Sequence, residues 1–296
     1  MAGRFQKVAV LKGGISSERE VSLRSGSAVA QGLREGGYEV FEIDVDSREF
    51  TIPEGIDAVF IALHGEFGED GEIQKKLLEL EMPFTGSGPN SSQVSFDKVL
   101  TRECLKSTGV PIPEGEVLKS SEDRTVSAPL VVKPPREGSS VGCHIVSDDA
   151  HWESAFSDAV RFSGEVLVEE YIPGRELTVG IVKGLALPVV EIKPATEWFD
   201  YEAKYVTGDT QYICPADLEE SQVEQLQSIA LETFQSLGAE GFGRVDFRLS
   251  PSGKPYVLEL NSIPGFTATS LLPMAAQSAG IGFSELCCSI METAHL

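Results

Sequence analysis

The run KVAVLKGGISSEREVSLRSGSAVAQGLREGGYEVFEIDV, residues 7–45, decides the fold class. Its opening KVAVL, 7–11, is a short apolar stretch of the length of one buried strand. Gly13-Gly14 supplies a turn. Ser17, with Glu20 three residues on, has the spacing of a capping box, and the periodicity predicts a helix to about Arg34. Gly36-Gly37 ends it. YEVFEIDV then reads as a second strand and DAVFIAL, 57–63, as a third. Strand, helix and strand at this spacing predict a parallel α/β unit.

Further along, GEIQKKLLELEM has helical spacing, and PFTGS reads as another short strand. A new region begins near Asp97 with a helix, DKVLTRECLKSTG, ending at Gly109. The runs APLVVKP, HIVS, EVLVEEYI, RELTVGIVKG and LALPVVEIKP follow, split by Gly or Pro, and predict antiparallel pairing. The polar, aromatic-rich segment ATEWFDYEAKYVTGDTQYICPADL has no clear period, and a loop this long in a compact protein is usually functional. A helix from about Glu219 to Leu237, strands around FGRVDFRL and KPYVLELN, and a helical region after Ser270 complete the reading.

A length of 296 residues fits two or three modest domains. With 41% hydrophobic and 24% charged residues, the composition is that of a soluble globular protein. The net charge of -22 argues against nucleic acid as a partner, because phosphate backbones need clustered Lys and Arg. A nucleotide can still bind where a few cations converge. Five cysteines, Cys104, Cys143, Cys214, Cys287 and Cys288, show neither CxxC nor metal-ligand spacing. No stretch is long enough to cross a membrane, and the start has no signal-peptide core, so a cytoplasmic protein is expected.

Four groups of residues carry candidate chemistry. The loop Arg136–Gly142 (REGSSVG) follows the strand LVVKP. It either folds backbone N–H groups over phosphates, with Lys133 beside them, or is a plain hairpin turn. It is no Walker A loop, and Gly86-Ser87-Gly88 is an incomplete dinucleotide fingerprint. Glu259 and Asn261 lie two apart on one strand and so share a face; a neighbouring antiparallel strand would set Asp246 beside them. Three such oxygen donors suit magnesium. Lys98, Lys133, Lys204 and Arg244 adjoin these segments, and a transferring phosphoryl group needs such cations. His64 and Glu18 lie beyond the carboxyl ends of predicted strands, where open α/β sheets bind ligands. Glu18 could hold a substrate ammonium or simply favour a helix N-terminus; His64 could equally be a buried, hydrogen-bonded histidine.

Taken in order, VAVLKGGISSEREVSLRSG, FIALHGEFGEDG, TGSGPNSSQVSFDK, VVKPPREGSSVG, LVEEYIPGRELTV, FDYEAKYVTGDTQYICPA, GFGRVDF and ELNSIPG resemble the D-alanine–D-alanine ligase family of the ATP-grasp group, over nearly the whole chain. The resemblance implies an α/β fold: an N-terminal parallel-sheet (preATP-grasp) domain, 1–97, then a two-domain ATP-grasp fold, 98–177 and 178–296. ATP would lie between two sheets, its phosphates on Lys98 and Lys133 under Ser139 and Ser140. Glu169 would face the adenine amino group, Glu170, Tyr171 and Ile172 would line the base, and Glu176 would bind the ribose. Asp246, Glu259 and Asn261 would hold two magnesium ions, with manganese as the alternative.

By the same resemblance, Glu18 would bind the first D-alanine's ammonium, with His64 close by. Arg244 and the Gly265 N–H would stabilise the oxyanion. Lys204, Ser270 and Leu271 would receive the second D-alanine's carboxylate. The mechanism implied runs through an acyl phosphate, with the aromatic-rich loop as lid. Tyr205, linked to Ser139 and Glu18, goes with a dipeptide rather than an ester product. A homodimer is implied. Two departures are a short segment before VVKPP and Ser262 where the family usually has threonine. The competing readings are a ligase for another acid such as D-lactate, a nucleotide-binding regulator without catalysis, and a dinucleotide-dependent oxidoreductase.

Overall fold

The computed structural model describes residues 4–194, 210–267 and 269–296. Lys204 and Tyr205 lie outside the described residues. Strand β1 (Lys7–Gly13) runs between β2 (Glu39–Val45) and β3 (Ala58–Ile61), parallel to both. Val8 to Leu11 are fully buried, which is why the run is apolar without alternation. Helix α1 (Arg19–Glu35) covers this sheet through Val29, Ala30 and Leu33.

Two local expectations need correction. The Ser17–Glu20 capping box does not form: Glu18 stands at the N-cap and makes no side-chain cap. Ser16 acts instead, its Oγ accepting the Glu18 N–H at 3.2 Å and donating to the His64 carbonyl at 2.6 Å. That bond draws the loop across to the end of β3, and the helix starts later. PFTGS gives no strand; Phe84 alone bridges Val59 and His295.

The middle of the chain folds as an antiparallel sheet in the order β4-β7-β5-β6, from β4 (Gly115–Leu118), β5 (Leu130–Lys133), β6 (His144–Val146) and β7 (Val166–Glu170). The helix Trp152–Ser163 closes its core with Trp152, Phe156 and Ala159. A second antiparallel sheet contains β8 (Arg175–Val182), β9 (Leu185–Ala186), β10 (Val190–Lys193), β11 (Gln211–Ile213), β12 (Phe242–Leu249) and β13 (Pro255–Asn261). Its order is β11-β10-β8-β12-β13, with β9 on β8. The helix Glu220–Ser236 packs one face through Leu226, Ala230 and Phe234.

The other face of that sheet shares its core with the first sheet. Val8, Phe60, Phe242, Phe266, Leu272 and Ile290 belong to one cluster. The Phe60 ring lies 5.5 Å from Phe266 and 6.0 Å from Phe242, centroid to centroid. Phe60 is fully buried, so truncation to alanine would cost about 3–5 kcal/mol. This shared core brings the carboxyl ends of β1 and β3 and the end of β13 to one cavity. The middle sheet joins through the crossing after β7, where Gly174 has φ +126° and a Cβ would lie 2.1 Å from the Leu249 carbonyl oxygen. Only glycine fits that approach.

Candidate active site

Two adjoining cavities collect every described residue to which the family resemblance gives a role at the site. The larger, about 410 Å³, is lined by Glu18, His64, Asn261, Gly265, Ser270 and Leu271 among others. The smaller, about 100 Å³, is lined by both antiparallel sheets and includes Lys133, Ser140, Glu169 to Ile172, Glu176 and Asp246. Lys98, Ser139, Arg244 and Glu259 line both.

The glycine-rich loop links them. The Ser139 hydroxyl donates to Glu18 Oε1, tying the middle sheet to the start of α1. Ser139 and Ser140 have φ of +51° and +59°, a left-handed conformation uncommon for residues with a Cβ. At Gly138 a Cβ would lie 2.8 Å from Glu18 Oε2, so a side chain there would displace the Glu18 carboxylate from its present position. Lys98 Nζ donates to the Glu137 carbonyl at 2.8 Å and lies 3.1 Å from Glu259 Oε2. Burial is the largest influence and pushes the Lys98 ammonium down, but Glu259, Cys143 and Glu69 together outweigh it and the group sits above the ordinary lysine value.

Asp246 lies opposite Glu259, and Arg244 opposite Asn261, across the β12–β13 ladder. The pairing places the three oxygen donors where the strand reading put them. Both Asp246 oxygens accept from Arg244, at 2.8 and 2.7 Å, and Thr178 Oγ1 adds a bond of 2.6 Å. Asn261 Oδ1 is buried with no hydrogen-bond partner among the described residues. An orphaned acceptor beside two carboxylates fits a hard cation. The carboxylates here are held by Arg244 and Lys98, so such a cation would replace those contacts.

Glu169 is nearly fully buried between two cations: Arg102 Nη1 at 2.6 Å and Lys133 Nζ at 2.5 Å. His64 is buried with both ring nitrogens used, Nδ1 on the Ile263 carbonyl at 3.0 Å and Nε2 on Ser25 Oγ at 3.2 Å. Burial holds its imidazole below the ordinary value. Neutral His64 therefore donates from Nδ1 and accepts at Nε2, and the Ser25 hydroxyl in turn accepts the Phe266 N–H at 3.1 Å. The histidine lines the cavity and also fastens the 263–266 loop. Ser270 Oγ accepts the Thr267 N–H at 2.9 Å and precedes the helix Leu271–Ser278.

The sequence reading missed several residues here. Glu69 lines the larger cavity and accepts the Gly65 N–H at 3.0 Å; burial, with Glu18 nearby, pushes its carboxyl up to about 8. Tyr212 of β11 also lines it. Arg102 and Arg248 are buried at the smaller cavity's edge and wall. One signal was available: Arg244, Asp246 and Arg248 alternate along β12 and so share a face. The five cysteines are free, and burial pushes the Cys287 thiol up to about 12, which leaves it inert. No helix among the described residues is long and apolar enough to cross a membrane.

Two antiparallel sheets that close on one cavity, one bringing a glycine-rich loop and the other a carboxylate-bearing hairpin, define an ATP-grasp enzyme. The model of the D-ala D-ala ligase C-terminus family matches residues 104–292. A D-alanine–D-alanine ligase of Methylacidiphilum infernorum is 45% identical over 289 residues, covering 98% of this chain and 95% of the relative. One from Bordetella avium is 44% identical over 305 residues, covering 99% and 96%. The crystal structure of the Bacillus anthracis D-alanine–D-alanine ligase complexed with ATP superposes with a TM-score of 0.86 at 34% identity, covering 98% of this chain and 97% of that one. The chain belongs to the D-alanine–D-alanine ligase family.

Proposed function

We infer that this enzyme joins two D-alanine molecules into D-alanyl-D-alanine at the expense of ATP, releasing ADP and phosphate, for peptidoglycan precursor synthesis. The observation that carries this reading is the junction of the two cavities at Lys98, Ser139, Arg244 and Glu259. A nucleotide in the smaller cavity would point its phosphates at an amino acid in the larger one.

In this scheme the first D-alanine is held by its ammonium on Glu18, whose carboxylate the Ser139 hydroxyl orients. Its carboxylate attacks the γ-phosphorus of ATP, and ADP leaves. Lys98 and Lys133 neutralise the phosphates. Asp246, Glu259 and Asn261 would hold magnesium, or manganese, which supplies charge neutralisation at the phosphates when bound. The second D-alanine, its carboxylate on Lys204, Ser270 and the Leu271 N–H at a helix start, attacks the acyl carbonyl through its amine. Arg244 and the Gly265 N–H carry the developing oxyanion until phosphate departs. Glu169 to Ile172 would line the adenine and Glu176 the ribose. The acyl phosphate hydrolyses readily, so the segment bearing Tyr205 serves as lid, and Tyr205 goes with an amide product. Two chains would pair as a homodimer, and the working domains would be 1–97, 98–177 and 178–296, with the last division shifted to the start of β8 so that the strand stays whole.

The test is phosphate release from ATP and magnesium with D-alanine, L-alanine or D-lactate, with products identified by mass. Release with D-alanine alone, giving the dipeptide, is the expected result. Release with D-lactate alone, or none with any of the three despite tight ATP binding, would overturn it.

A further inference from the structure

Arg248 is a buried cation that no step above uses. It lies on β12 with 8% of its surface exposed, in the wall of the smaller cavity. Its cross-strand partner on β8 is Glu176. The guanidinium reaches three points. Nε donates to the Ile172 carbonyl at 3.1 Å, Nη1 to Glu176 Oε2 at 3.4 Å, and Nη2 to the Tyr171 hydroxyl at 3.4 Å. Its carbon also sits 5.7 Å from the Tyr171 ring centroid. Two of these points lie in the crossing between the sheets and the third at the start of β8.

A guanidinium is a flat fork with fixed donor directions, so three simultaneous acceptors define their mutual positions. A lysine at the same place would present one mobile point charge. A buried arginine also carries a desolvation cost, which an apolar side chain of similar size would avoid. The cavity thus keeps an ion where packing alone would be cheaper, and the ion's partners are the residues around the sugar and base positions.

We propose that Arg248 is a positioning residue that sets the sugar selectivity of the nucleotide cavity. It fixes Oε2 of Glu176, and with it Tyr171 and Ile172, in the posture that reads the ribose hydroxyls. The inference rests on the reading that ATP occupies the smaller cavity with its ribose at Glu176. A carboxylate fixed at one oxygen can accept from vicinal hydroxyls without first paying to be ordered.

The experiment compares kcat and KM for ATP and for 2′,3′-dideoxyATP in the wild type, Arg248→Met, Arg248→Lys and Glu176→Gln. In the wild type, dideoxyATP should have a KM about tenfold or more above that of ATP, the size of a lost hydrogen bond to a charged group. Arg248→Met should raise the KM for ATP about tenfold, leave the KM for dideoxyATP within about twofold, and leave kcat nearly unchanged. Arg248→Lys, which keeps the charge and loses the fork, should also narrow the discrimination, and it decides the matter if the methionine variant does not fold. An equal rise in both KM values, or discrimination kept in both Arg248 variants while Glu176→Gln abolishes it, would overturn the proposal. Unchanged discrimination in Glu176→Gln would instead overturn the placement of the ribose.

Discussion

The two sheets that meet at the nucleotide cavity use charge in opposite ways. In the middle sheet, Glu169 is sealed between Arg102 and Lys133, and the side chains of all three are less than a tenth exposed. In the hairpin of the second sheet, Asp246 and Glu259 are paired with Arg244 and Lys98, and Glu259 is one-third exposed. An unsatisfied acceptor, Asn261 Oδ1, sits beside them. The sealed cluster is a preset wall of the nucleotide cavity: each charge already has a partner, so Lys133 and Glu169 would meet a nucleotide from a fixed arrangement. The open cluster can exchange partners, which a site that binds phosphates and a cation must do. The same residue types therefore form a fixed frame around the nucleotide in one sheet and an exchanging tool in the other.

The largest effect that would sharpen this contrast is on stability, in the sealed cluster. Arg102→Ala strips Glu169 of one cation and the Pro113 carbonyl of its 2.7 Å donor. Breaking a buried ion pair by removing one partner costs about 3–5 kcal/mol. Denaturant unfolding should show that loss. A change below about 1 kcal/mol would mean the cluster does not frame the sheet.

Next is Arg244→Ala in the open cluster, where the effect should fall on catalysis instead. Loss of one oxyanion donor lowers kcat by about 10²–10³-fold, roughly 3 kcal/mol. The unfolding midpoint should stay close to the wild type, because Asp246 keeps its bond from Thr178 and stands at the cavity wall. If Arg244→Ala unfolds as readily as Arg102→Ala, the division between frame and tool is wrong.

Much of this arrangement was legible from residue order, and the limits are physical. The parallel unit at 7–45 could be read because Val8 to Leu11 are buried on both faces and a continuous apolar run has few other uses. Asp246, Glu259 and Asn261 could be read because strand alternation fixes which side chains share a face, and the observed ladder pairs Asp246 with Glu259. Contacts between distant segments had no such rule behind them. Arg102 meets Glu169 across 67 positions with no pattern to announce it, and Glu18 meets Ser139 across 121, a link that the family resemblance implied and residue order alone did not. The start of α1 was misread for the same reason: Ser16 bonds the carbonyl of His64, 48 positions away, and a local capping pattern could not foresee that competition. Arg248 was overlooked although the alternation that found Asp246 also reaches it.

The smallest prediction concerns pH and a group between the two regimes. Glu69 lies in the cavity wall, where Glu18 and Glu259 repel its charge and Arg244 attracts it. Burial dominates, and the folded carboxyl keeps its proton to about pH 8. In the unfolded chain it would ionise near the ordinary glutamate value. Between those two points the folded state binds more protons than the unfolded state, so its contribution to stability is whole at acid pH and is lost as pH rises towards about 8. Glutamine at this position cannot titrate and can still accept the Gly65 N–H. Glu69→Gln should therefore gain on the wild type as pH is raised from mildly acid to mildly alkaline, by on the order of 1 kcal/mol. Paired unfolding curves across that range give the measurement. A difference that stays flat with pH would mean that Glu69 is ionised in the folded enzyme and belongs with the open, exchangeable charges after all.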